Sequence, residues 1–217
     1  MSALLTLSEI ESCLRKCARA VELEWGIAEE AGKAARWLAA LQLPGPECML
    51  AHLLGLRDME YQKFAPLVDT SPWRARGELL CPIMAGATMA DRSARLLTGE
   101  TFHLGETAYP LLLVATLGQA ARFHQTAFTT RWDDLEISCF GHALAISGDE
   151  TAMFESRTDA VACWHDPQVA PVREASTLAY AIDAETLRSI DALAFETYAP
   201  ASEASRAGAG AGLTDND

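Results

Sequence analysis

The chain has 217 residues, of which 50% are hydrophobic and 22% are charged, proportions that are typical of a folded globular protein. Its formal net charge of −13 disfavours binding to nucleic acids and to anionic membranes, because both require clustered lysine and arginine side chains. The chain opens without the pattern of a secretory signal, and its apolar runs are far shorter than a membrane helix, so we expect a cytoplasmic protein.

Three helices are predicted in the first third of the chain. Thr6 and Glu9 have the spacing of a capping box, and apolar residues at intervals of three and four then continue to Val21. A second helix is predicted over residues 27–41. Pro46 is well placed as the first residue of a third helix that ends near residue 56.

A fourth helix is predicted to begin at Pro82, after a stretch of irregular structure over residues 57–80. Apolar side chains recur on one face of this helix as far as Leu97. Gly86 would allow another backbone to approach this helix closely.

The second half of the chain has more strand-like patterns. Strands are predicted at 135–139, 161–164 and 177–182, and a hairpin turn at 147–150. The apolar run 111–114 fits either a buried strand or part of a helix. Asp183 is predicted to cap a final helix.

These elements together predict an α+β fold, with N-terminal helices, a mainly antiparallel sheet and a C-terminal helix. We expect a single domain over residues 1–204, with a helical part over about 1–98 and a mixed, β-rich part over about 99–200. A Gly/Ala-rich, acidic tail follows at 205–217.

Cys81 is the cysteine whose local sequence is most suggestive of chemistry. Because Pro82 follows it, Cys81 should lie just before the first turn of the fourth helix, where unpaired amides and the helix dipole stabilise a thiolate. Such a thiolate could act as a nucleophile or a base. The alternative is a buried structural cysteine, since free cysteines are among the most buried residues.

Further candidate site residues are charged. Arg92 could hold a substrate carboxylate through two parallel hydrogen bonds, and Asp91 or Glu30 could exchange a proton with the substrate. The alternative for Asp91 and Arg92 is a solvated helix face.

The tail presents two alternatives as well. Its small residues and glycines predict disorder. If it instead folds back over a cleft, its amides, Ser205 and Arg206 could hold an anion, while Asp215 and Asp217 could hold a cation or an amine.

The sequence assigns no cofactor and no metal. The six cysteines include no CxxC pair, and the five histidines are scattered without a metal-binding spacing. Phosphate-binding loops and the nucleophile elbow of hydrolases are also missing from the sequence.

Three stretches of the chain resemble a bacterial family that is known as domain of unknown function 3726. They are WGIAEEAGKAARWLA at 25–39, LCPIMAGATMADR at 80–92 and ETYAPASEASRAGAGAGLTDND at 196–217. The resemblance extends over the whole chain and implies that the tail belongs to a recurring motif. It implies no activity and therefore no catalytic residue.

Two functional hypotheses follow. The first is a metabolic enzyme of the hydrolase, lyase or isomerase type that acts on a small polar carboxylic or amino acid, with Cys81 as nucleophile or base. The second is a non-catalytic binding or accessory subunit. We expect a small-molecule ligand, and either a homo-oligomer or an enzyme partner. An enzyme should have a concave pocket that gathers titratable groups, whereas an accessory subunit should have a broad apolar patch.

Overall fold

The computed structural model describes residues 2–77, 79–170, 172–175 and 178–198. The helices are α1 (Leu7–Ala20), α2 (Trp25–Ala40), α3 (Gly45–Leu56), α4 (Pro82–Asp91), α5 (Ser93–Leu97), α6 (Leu111–His124) and α7 (Ala184–Phe195), with short 3-10 helices at Tyr61–Phe64 and Glu150–Phe154. The strands are β1 (Ser2–Thr6), β2 (Pro66–Leu67), β3 (Arg74–Ala75), β4 (Phe102–Leu104), β5 (Thr107–Ala108), β6 (Phe128–Trp132), β7 (Leu135–Cys139), β8 (Ala143–Gly148), β9 (Arg157–Thr158), β10 (Val161–His165), β11 (Arg173–Glu174) and β12 (Ala179–Asp183).

The predicted α+β fold is confirmed. Six strands form an antiparallel sheet in the order β11-β8-β7-β6-β10-β4, and the helices of the first third of the chain precede it. The N-terminal strand β1 pairs with β12, just before the C-terminal helix α7, so the two ends of the described chain lie together. Within the described ranges, none of the helices has the length and apolar character needed to cross a bilayer.

The helix ends follow the local sequence signals. The Thr6 hydroxyl accepts a hydrogen bond from the Glu9 amide, and the Glu9 carboxylate accepts one from the Thr6 amide, as a capping box requires. Asp183 caps α7 by accepting hydrogen bonds from the amides of Glu185 and Thr186. Both predicted caps are confirmed.

Helix α6 is the central element of the core. It contains the apolar run 111–114, and ten of its fourteen residues are buried. The Cys139 thiol donates a hydrogen bond to the Val114 carbonyl at 3.4 Å, which ties the sheet to this helix. On the other side, Gly86 lies so close to Thr116 that an added Cβ would be 2.5 Å from its hydroxyl oxygen. The predicted close approach at Gly86 is therefore confirmed.

Two local predictions are wrong. The fourth helix does not continue to Leu97, because the backbone leaves the helical conformation at Arg92 and a separate helix α5 follows. The predicted hairpin turn at 147–150 is absent, since β8 ends at Gly148 and Asp149 caps a 3-10 helix instead, accepting a hydrogen bond from the Thr151 amide at 2.9 Å.

Candidate functional site

Cys81 occupies the N-cap position of α4, as predicted, but its side chain lies in the core. The residue is 1% exposed, and its Sγ lies 3.3 Å from Nε2 of His52, a buried residue of α3. The Tyr109 ring meets the His52 imidazole edge-on, with ring centres 5.9 Å apart. Of the two alternatives for Cys81, the structure therefore supports the buried structural cysteine.

Burial determines the protonation of this pair. It raises the pKa of Cys81 to about 11, although the amides of Ile83 and Met84 at the start of α4 act in the opposite direction. Burial also lowers the pKa of His52 to about 4. Desolvation thus affects the pKa of Cys81 more than the amides of the helix N-terminus do. The pair is therefore a neutral thiol beside a neutral imidazole near pH 7. The predicted lowering of the Cys81 pKa is wrong.

The other predicted catalytic residues lie apart from Cys81. Asp91 is the last residue of α4, so the rise of ten residues separates it from Cys81 by about 15 Å. Arg92 is partly exposed in the break between α4 and α5. Glu30 lies on α2, where it accepts a hydrogen bond from Lys33 at 2.8 Å. These side chains do not form one site with Cys81.

Four predicted ligand-binding residues lie outside the described residues. They belong to the C-terminal tail and are Ser205, Arg206, Asp215 and Asp217. Their predicted roles stay predictions.

A cleft of about 660 Å³ opens at one side of the six-stranded sheet, within the size range of small-molecule sites. Its floor is made by β4, β10 and β6, and its rim by the segment around Arg74 and by the turns before β10 and after β6. Its lining residues are Ser71, Pro72, Arg74, His103, Leu104, Gly105, Glu106, Arg131, Trp132, Asp133, Asp159, Ala160, Val161 and Ala162.

Strand register places two basic side chains across the floor of this cleft. Ala162 of β10 pairs with His103 of β4 on one side and with Arg131 of β6 on the other. Directly paired residues project to the same face, so His103 and Arg131 face each other across the Ala162 methyl group, with Cα atoms about 10 Å apart. Both basic residues are exposed.

The next row on the same face of the sheet also consists of small residues. Val161 pairs with Leu104, and the same register continued leads to Gly105 and Ala160. A Cβ added at Gly105 would lie 3.7 Å from Cγ of Arg74, so the Arg74 side chain passes over this glycine. Three small residues, Gly105, Ala160 and Ala162, therefore form the floor where the chain segments of β4 and β10 run side by side.

Carboxylates border the cleft on the side of the turns. Asp133 follows β6 with a positive φ of 47°, and its Oδ1 accepts a hydrogen bond from the Thr158 hydroxyl at 3.3 Å. Asp159 is exposed and forms no side-chain hydrogen bond or ion pair with any described residue. A third carboxylate, that of Glu106, pairs with Arg157. The cleft is thus lined by carboxylates as well as by arginine and histidine side chains.

Arg131 has an aromatic neighbour on β10 and an acidic one on β7, where Glu136 is its direct strand partner. Its guanidinium carbon lies 5.6 Å from the centre of the Trp164 ring, two residues beyond Ala162 on β10. Among the described residues Arg131 forms no ion pair within 4 Å, although Glu136 lies opposite it in the register. Arg131 can therefore accept a negatively charged ligand without first breaking an ion pair.

Sequence reasoning missed the cleft, and only one local signal for it was present. Asp133 and Asp134 stand between the strand-like stretches 128–132 and 135–139, a pattern that indicates a hairpin turn. His52 was equally missed as the partner of Cys81, because histidine and cysteine lie on different helices. In the described part of the chain, no group of three or more His, Cys, Asp or Glu side chains is placed to hold a metal ion.

Comparison with known families gives one match, over the helical N-terminal part of the chain. Residues 5–77 match the family model DUF3726, whose description is protein of unknown function. The resemblance to DUF3726 is thus confirmed for this range. The DUF3726 region contains α1, α2 and α3, with Glu30 and His52, and ends just after Arg74 at the rim of the cleft. No curated protein and no solved structure matches the chain.

Proposed function

We propose that the protein is a metabolic enzyme of the isomerase or lyase type, acting on a small polar carboxylic or amino acid that binds in the cleft over β4, β10 and β6. The observation that carries this proposal is the row His103–Ala162–Arg131 beside Asp133 and Asp159. A carboxylate fits the basic side chains, and an amino group fits the acidic ones.

His103 is the group in this cleft that suits proton transfer. An imidazole both accepts and donates protons near neutral pH, and His103 is exposed without a side-chain partner among the described residues. In the proposed step, the imidazole removes the proton from the carbon next to the substrate carboxylate. The electron pair of that C–H bond moves onto the carboxylate, where Arg131 offsets the charge that develops, and the protonated imidazole, after exchange with solvent, returns a proton to the same carbon.

A deuterium-exchange experiment tests both binding and chemistry. L-aspartate, L-malate and succinate are incubated separately with the protein in D₂O, and the carbon-bound protons next to the carboxylates are followed by NMR. We expect these protons to be replaced by deuterium for at least one probe. His103→Asn should abolish the exchange, and His142→Asn, a change of an exposed histidine outside the cleft, should retain it. If no probe binds at millimolar concentration, the proposal is wrong.

The alternative function, a non-catalytic accessory subunit, has one observation in its favour. Phe195, the last residue of α7, and Tyr198 just after it form a tilted ring pair with centres 5.8 Å apart, although they are 72% and 55% exposed. Exposed aromatic pairs are common in protein interfaces. Sedimentation of the wild type and of Phe195→Glu tests this alternative, because a self-association that the substitution abolishes would favour a homo-oligomer built on α7.

A further inference from the structure

The floor of the cleft has a shape that selects among ligands. Gly105 directly follows β4, Ala160 lies in the turn before β10 and Ala162 lies on β10, and all three line the cleft. The walls around them are His103, Arg131 and Asp133. Larger side chains at the three floor positions would fill the space between these walls.

The charges of the walls are separated in space. His103 and Arg131 share one row with Ala162, whereas Asp133 lies two residues beyond Arg131, toward the Ala160 end of the floor. The Thr158 hydroxyl, two residues before Ala160, holds the Asp133 carboxylate at this end. A ligand above the floor therefore meets His103 and Arg131 at the Ala162 end and Asp133 at the Ala160 end, where the Arg74 stem passes over the neighbouring Gly105.

We propose that Ala160 and Ala162 are specificity-determining residues, and that they make the cleft selective for a short zwitterion. Its carboxylate lies between His103 and Arg131 above Ala162, and its ammonium group lies at Asp133 above Ala160. This inference rests on the proposed function, and it names the ligand class of the same cleft. Molecules that carry only carboxylates or only ammonium groups match only one end of the site.

Filling the floor tests the role of the small residues. The binding of L-aspartate is measured by calorimetry for the wild type and for Ala162→Leu, which leaves every charged side chain of the cleft in place. We expect affinity to fall by about tenfold or more, since the new side chain occupies the ligand's position. Ala145→Leu is the matched control, because Ala145 is a half-buried residue of β8 on the same sheet. Its affinity should equal that of the wild type.

A second variant keeps the test decisive if Ala162→Leu does not fold. Ala160 is exposed in the turn before β10, so Ala160→Leu should fold normally and should also weaken L-aspartate binding by about tenfold. Thermal unfolding of each variant checks that the fold is retained. Unchanged affinity in a folded Ala160→Leu or Ala162→Leu variant overturns the inference.

Ligands of matched length test the separation of charge. L-aspartate, succinate and 1,4-diaminobutane have similar length, and we expect L-aspartate to bind most tightly. Asp133→Asn should weaken the binding of L-aspartate by about tenfold and should not weaken the binding of succinate. The substitution should leave the turn unchanged, because asparagine tolerates the same backbone conformation and still accepts the Thr158 hydrogen bond. Equal effects on both ligands overturn the assignment of the ammonium end.

The outcomes separate this inference from the function on which it rests. If the wild type binds no probe, the proposed function fails and the inference fails with it. If the wild type binds L-aspartate and the leucine variants bind equally well, only the inference fails. If binding responds to the floor residues but no deuterium exchange occurs, the specificity assignment stands and the enzymatic role is wrong.

Discussion

The Sγ atom of Cys81 lies 3.3 Å from Nε2 of His52, and both residues are buried. A cysteine and a histidine at this distance resemble the nucleophile and base of a thiol enzyme. Their surroundings differ from such a site, because desolvation raises the pKa of the thiol and lowers the pKa of the imidazole. The pair is therefore a neutral hydrogen-bonded contact of the core, and a catalytic role for Cys81 would require the core to open.

The buried His52 should make stability depend on pH. Its pKa is about 4 in the folded protein and near 6.5 when solvated, so the unfolded chain binds more protons between these values. The free energy of unfolding should therefore decrease as the pH falls from 6.5 to 4, with a contribution from this group of about 3 kcal/mol. Urea unfolding at several pH values measures this slope.

Substitution separates the contribution of His52 from that of other groups. His52→Leu should unfold with a smaller decrease over the same pH interval, because leucine does not titrate. His142→Leu removes an exposed histidine and controls for the loss of one titratable residue. A His52→Leu slope equal to that of the wild type would contradict the neutral state of the buried imidazole.

Thiol labelling should distinguish a structural Cys81 from a nucleophilic one. Cys13 is the half-buried thiol, whereas Cys17, Cys48, Cys81, Cys139 and Cys163 are buried. Iodoacetamide at pH 8 should therefore label one thiol of the native protein and all six after unfolding, as counted by mass spectrometry. Cys13→Ser should remove the native labelling, and Cys81→Ser should leave it unchanged. Rapid native labelling of Cys81 below pH 8 would restore the nucleophile hypothesis.

The contact between α2 and α6 should be sensitive to one methyl group. A Cβ added at Gly118 would lie 2.3 Å from Cζ2 of Trp37, and the Trp37 indole is held by its hydrogen bond to the Gly141 carbonyl at 2.7 Å. Gly118→Ala should therefore reduce the free energy of unfolding by about 1–3 kcal/mol in urea titrations. Gly55→Ala on α3 is the control, because nothing lies within 4 Å of its added Cβ. That change should stabilise the protein by about 0.5–1 kcal/mol. Equal effects of the two substitutions would mean that the Trp37 ring moves freely.

The predicted role of Arg206 is testable by substitution. If its guanidinium holds the substrate carboxylate, Arg206→Ala should weaken L-aspartate binding by about tenfold, and Arg206→Lys should weaken it less. Arg188→Ala removes an exposed arginine of α7 and is the control for net charge. Wild-type affinity in Arg206→Ala would exclude this arginine as the clamp. Ser205, Asp215 and Asp217 can be compared in the same assay.

The sequence alone determined the elements whose causes are local. The capping box of Thr6 and Glu9, the start of α4 at Pro82 and the cap at Asp183 all involve groups within a few residues of each other, so their geometry follows from the spacing. The α+β class followed from the order of these local patterns.

Tertiary structure decided everything that depends on residues distant in sequence. The apolar run 111–114 is part of helix α6. Its sequence pattern could not distinguish a helix from a strand, because α6 is buried on several sides and its apolar residues therefore show no period. The cleft exists because strand register brings His103, Ala162 and Arg131 into one row, and burial of Cys81 depends on how α3 packs against α4. Desolvation and strand pairing are properties of the packed molecule, and for this reason the protonation of Cys81 and the position of the candidate site could not be derived from local spacing.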